Sequence, residues 1–150
     1  MVLPFSGNPL FSSDELREDD AGIQKLRSHK DALFLPFFEY DPPITESSEL
    51  FWIPWDVVQL VCENPDGAIF LGLEDDHSPR FAIDIGESLE HWQNATPNRF
   101  EPIRSVAVKL ANSRTSIVAQ ARSILKWIAD HRFCSQCGSG NSVLFGGYRL

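Results

Sequence analysis

The sequence predicts an α+β fold, a small and mainly antiparallel sheet with a C-terminal amphipathic helix leading into a truncated zinc ribbon. Three observations carry this. Two apolar stretches, 68–73 and 81–85, flank a polar linker and read as a β-hairpin. Ile117, Val118, Ala121, Ile124, Leu125 and Ile128 recur on one helical stripe through 116–131. A Cys-x-x-Cys-Gly turn, Cys134 to Gly138, follows that helix.

Residues 1–20 are loop-like and acidic. A short helix is expected from about Ser13, with Asp14 and Glu15 suited to its positive end. Residues 31–40 are apolar and aromatic, hence strand-like, and Pro36 confines that strand to an edge or a bulge. Asp41-Pro42-Pro43 ends it. Residues 50–60 form two short apolar stretches divided at Pro54. Asn64-Pro65-Asp66-Gly67 is a turn. Of the hairpin strands, 68–73 is nearly all apolar and is expected to be central, whereas 81–85 alternates more clearly. Residues 86–98 are polar with Trp92 embedded. Residues 100–110 carry Ile103, Val106, Val108 and Leu110, a pattern that does not choose between helix and strand. Asn112 or Ser113 can cap the long helix. Arg122, Lys126, His131 and Arg132 weight its C-terminal half with positive charge, as the dipole prefers.

Composition bounds the function classes. With 150 residues and 43% hydrophobic side chains the chain builds about one domain and cannot be disordered throughout. The net charge is −8, unevenly spread. Residues 1–98 hold 19 acids and 5 bases, and residues 99–150 hold 2 acids and 8 bases. The whole argues against bulk nucleic-acid binding, while the basic last third could face a phosphate-bearing ligand or dock on something acidic. No apolar run approaches the ~18 residues of a membrane span, and the first basic residue is Arg17, so neither a membrane segment nor a secretory leader is expected. An odd count of three cysteines fits a reducing, cytoplasmic home. Asn94-Ala95-Thr96 is then discounted as a glycosylation site.

Cys134 and Cys137 are the candidate metal ligands. Two thiolates at this spacing can grip one tetrahedral ion from a single turn, and Gly138 supplies the positive φ that the turn needs. Zinc requires two further ligands, and a second Cys-x-x-Cys does not occur before Leu150, so the site reads as half a ribbon. A redox pair would instead open a helix after a strand. His131 reads as a cation at the helix end, and Cys62 as a buried structural thiol. Asp75, Asp76 and His77 read as a solvated loop. Trp52 and Trp55 read as packing residues, and His29 and His91 receive no role. The acidic run 15–20 lacks the one-face spacing of a magnesium-binding helix, and there is no phosphate loop or nucleophile elbow.

The run Ala121-Arg122-Ser123-Ile124-Leu125-Lys126-Trp127, followed by His131-Arg132-Phe133 and the cysteine turn, resembles the segment joining the N-terminal domain to the zinc ribbon in NADH pyrophosphatases of the Nudix superfamily. Ile69-Phe70-Leu71-Gly72-Leu73, Phe81-Ala82-Ile83-Asp84 and Gly146-Gly147-Tyr148 resemble further parts of that family. The resemblance implies an N-terminal domain at 1–132, an incomplete zinc ribbon at 133–150, and a catalytic Nudix domain that this sequence lacks. It implies hydrolysis of the NAD(H) diphosphate to NMN(H) and AMP, or removal of NAD caps from RNA, by that missing domain with Mg²⁺ or Mn²⁺. It implies structural zinc at Cys134 and Cys137, a substrate contact at Arg104, and a homodimer. The chain itself is expected to be non-catalytic, cytoplasmic, with a peroxisomal address as the alternative. Two other classes stand beside this reading: a non-enzymatic protein-binding module with a metal knuckle, and a small thiol oxidoreductase.

Overall fold

The computed structural model describes residues 7–150. The first six residues of the loop-like reading of 1–20 lie outside it. Helix α1 (Asp14–Glu18) starts at Ser13, whose Oγ accepts from the Leu16 N–H at 3.3 Å. Helix α2 (Asp20–Arg27) follows at once, capped by Asp19, which accepts from the Gly22 N–H at 2.9 Å. Strand β1 (Leu33–Phe37), helix α3 (Trp55–Val61), strands β2 (Ile69–Leu73) and β3 (Pro79–Asp84), and helices α4 (Leu89–Ala95), α5 (Ile103–Lys109) and α6 (Asn112–Asp130) complete the body.

The sheet order is β1-β3-β2. β2 and β3 pair antiparallel as the expected hairpin, while β1 runs parallel to β3, with Phe34 opposite Phe81 and Leu35 opposite Ala82. The sheet is therefore mixed. The central strand is β3, and the nearly all-apolar β2 lies at an edge. Apolarity misjudged the order because both sheet faces are covered, so an edge strand needs apolar residues on both sides. On one face Leu35, Phe37, Ile69, Leu71 and Ala82 meet Val106 of α5 and Ile117, Val118, Ala121 and Leu125 of α6. On the other, Phe34, Phe70, Phe81 and Ile83 meet Ile23 of α2, Val58 and Val61 of α3, and Trp92 of α4. Phe34 and Phe81 stack there at 5.1 Å.

Pro36 sits in an edge strand, as its missing N–H requires. Beside it, Phe34 and Ile53 exchange backbone bonds of 2.9 Å and begin to close that edge. The opposite edge is covered where Phe11 and Leu73 exchange bonds of 2.8 Å. Gly72 permits this approach: at φ +149° it lies where a Cβ would stand 2.8 Å from the Phe11 carbonyl oxygen.

After α6 the chain turns through 133–141 and returns to the body as a strap whose 3-10 turn is Phe145–Gly147. The Phe145 N–H donates to Asp20 at 3.1 Å. Tyr148 hydrogen-bonds Gln120 of α6, and the Arg17 guanidinium lies 3.9 Å from the centre of its ring. Gly147 is buried at φ +105°, and a Cβ there would stand 2.6 Å from Ile69 Cγ2. Gly147→Ala should therefore destabilise the chain by about 2–4 kcal/mol, from a left-handed alanine and an overpacked contact. Urea titration checks this, with Gly140→Ala, where the space is open and φ ordinary, as the near-neutral comparison.

Candidate functional site

Helix α6 ends at Asp130 with His131 as its cap. The His131 N–H donates to the carbonyls of Trp127 and Ile128, and its Nδ1 lies 2.8 Å from the Trp127 carbonyl oxygen. The imidazole is thus engaged with the helix end. Asn141 then ties the two ends of the turn: its N–H donates to the Arg132 carbonyl at 2.8 Å and its side-chain amide to the His131 carbonyl at 2.7 Å.

Inside this loop the Cys134 N–H donates to the Ser139 carbonyl at 2.7 Å, and the Gly138 N–H returns to the Cys134 carbonyl at 2.9 Å. Phe133 and Gly140 form an isolated bridge. Gly138 has φ +72° with open space around it, so the glycine is needed for its backbone and not for room. Cys134 is half-buried and Cys137 exposed. Hydrogen bonds from Ser139, with a smaller contribution from Cys134, hold the Cys137 thiol below its ordinary pKa. Its Sγ lies 3.2 Å from Ser139 Oγ. The donor set is two soft sulfurs in one tight turn, which fits half of a tetrahedral zinc site. Among the described residues no three His, Cys, Asp or Glu side chains converge on one point.

Arg104 occupies the second position of α5, exposed, with no hydrogen bond or ion pair among the described residues. It is free to meet an anion, but it is not part of the cysteine turn. Cys62 is buried, and burial pushes its thiol up to about 11. Asp76 accepts from the N–H and hydroxyl of Ser78, which lowers its pKa and commits it to the hairpin turn. In the acidic run, α1 and α2 break at Asp19. Asp19 caps α2 and Asp20 holds the strap, so the carboxylates do not share one helix face.

This arrangement can be set beside known proteins. The family model of the NADH pyrophosphatase-like rudimentary NUDIX domain matches residues 2–127. The chain belongs to that family. A NAD-capped RNA hydrolase of Schizosaccharomyces pombe is 35% identical over 95 residues, covering 55% of this chain and 25% of the relative. The NAD-capped RNA hydrolase NUDT12 of Macaca fascicularis is 38% identical over 48 residues, and its human counterpart 35% over 48, each covering 32% of this chain and 10% of the relative. The matches thus span a quarter or less of these relatives' length.

The two glycines and Tyr148 of the strap were legible as a motif but not as a clamp on the sheet. Paired glycines before an aromatic were the available signal; their partner Ile69 lies too far away in sequence to be inferred. The three thiols should separate in alkylation by iodoacetamide at about pH 7.5, where thiolate fraction and access govern the rate. Cys137 should label first and Cys62 only after unfolding, as read by peptide mass spectrometry.

Proposed function

We propose that this chain is the N-terminal structural and dimerisation domain of a Nudix-type hydrolase that cleaves the diphosphate of NAD(H), free or as an RNA cap, to NMN(H) and AMP. Residues 1–132 form the domain and 133–150 begin a zinc ribbon. The observation that carries this reading is the family match over 2–127 leading straight into the cysteine turn. The names of the relatives support the substrate class. Cys134 and Cys137 would give zinc two of its four ligands, and a second cysteine pair the other two. Arg104 would meet the substrate, since a guanidinium suits phosphate through paired hydrogen bonds. Mg²⁺ or Mn²⁺ would serve a catalytic domain outside these 150 residues by stabilising charge on the diphosphate. The domain works in the cytoplasm, and among its described residues no helix is long and apolar enough to cross a membrane.

Four measurements test this. Incubated with NADH and Mn²⁺, the 150-residue chain should release no NMNH or AMP by chromatography. After dialysis it should hold well under one zinc per chain, because two thiolates bind the ion weakly. Reading the coding sequence past Leu150 should reveal the second cysteine pair and a Gly-x5-Glu-x7-Arg-Glu box. In that longer protein Arg104→Ala should raise KM for NADH about tenfold, the worth of one lost charge-assisted contact, with zinc content unchanged. Turnover by the 150 residues alone, or a continuation with neither motif, would sink the reading in favour of a stand-alone binding module.

A further inference from the structure

A cleft of about 720 Å³ lies between α2, the turn at 65–67, the C-terminal half of α6 and the strap. Neither Arg104 nor the cysteine turn lines it. Its floor is apolar, with Ile23 from α2 and Leu125 and Ile128 from α6. One lip is formed by Val143 and Leu144, whose side chains stand 46% and 42% exposed. Large apolar side chains left in water beside an apolar floor mark a surface that gains by being covered.

The charge around the cleft is mainly acidic. Asp20, Glu63, Asp66 and Asp84 face a single cation, Arg27, a balance of −3. Asp66 holds one end of the Arg27 guanidinium at 3.1 Å, while its Nε is buried with no hydrogen-bond partner among the described residues. Asp20 and Asp84 each turn one oxygen to a backbone N–H, of Phe145 and Gly86. The Glu63 carboxylate has no hydrogen bond or ion pair among the described residues. A bare diphosphate would meet mainly like charge here.

We infer that the cleft docks a basic amphipathic segment of a partner protein, its apolar side chains on the floor and lip and its lysines or arginines at the carboxylate rim. Apolar contact supplies the adhesion and charge complementarity the selection, as in other grooves that receive amphipathic helices. The volume suits several side chains of one short segment, within the roughly 300–1,000 Å³ of ordinary binding clefts.

The test uses the whole 150-residue chain and a fluorescein-labelled peptide of about 14 leucines and lysines, leucines at i, i+3, i+4 and i+7, titrated by anisotropy in about 50 mM NaCl. Glu63→Lys should weaken binding at least about tenfold, and Val143→Ser with Leu144→Ser about fivefold. Glu90→Lys makes the same charge change away from the cleft and should alter the Kd less than about twofold. All four changed positions are at the surface, and matched thermal midpoints will show that folding is kept. The inference is overturned if Glu63→Lys and Glu90→Lys weaken binding equally, if a leucine–glutamate peptide binds as tightly, or if spermine competes as well as the peptide. It is likewise overturned if Glu63→Lys, and not Glu90→Lys, abolishes self-association of the chain in sedimentation, since a second copy would then occupy the cleft.

Discussion

Three strands whose side chains are large and apolar on both sides cannot leave either face in water. Phe34, Phe70 and Phe81 point one way, and Leu35, Ile69 and Leu71 the other. Each such side chain contributes about 1.5–3 kcal/mol when fully buried, so exposing one face would cost most of the stability of a domain this size. The helices follow from that demand. α5 and α6 cover one face, and α2, α3 and α4 the other. The parallel pairing of β1 with β3 is made by a long connection, in which the chain passes through α3 and β2 before β3 runs alongside β1.

The same constraint places the cysteine turn. It is anchored on one side by α6, whose apolar stripe is locked to the sheet through Ile117, Val118, Ala121 and Leu125. On the other side the strap presses Gly146 and Gly147 against Phe70 and Ile69, where no side chain could fit. Asp20, Arg17 and Gln120 then fasten Phe145 and Tyr148. The loop that carries the two sulfurs is thus held at both ends.

Part of the charge asymmetry is consumed inside the fold. Arg114 pairs with Glu74 at 3.5 Å and Arg122 with Asp41 at 3.4 Å, so bases of the last third dock on acids of the first two thirds. Asp41 also accepts from the Ile103 N–H at 3.0 Å and so holds the start of α5. Lys109 and Lys126 pair locally with Glu101 and Asp130. These partly exposed pairs orient the elements more than they stabilise them. Arg99, Arg104 and Arg132 form no ion pair among the described residues.

What depends on near neighbours is legible in the chain: the α+β class, the hairpin, the apolar stripe of α6, the restriction that Pro36 places on its strand, the cap at Ser13 and the glycine-closed cysteine turn. Each rests on a period or a turn whose residues lie within a few positions of one another. Helix α4 escaped notice because only Trp92 is buried on it, too little to make a period. Helix α5 was ambiguous because Val108, 87% exposed, blurs the spacing of Ile103, Val106 and Leu110. Only the tertiary structure decided the strand order, the parallel pair, the seat of the strap on Ile69, the cleft and which charges remain free. Those outcomes turn on contacts such as Phe34 with Phe81 or Asp20 with Phe145, made across distances in the chain over which local pattern carries no information.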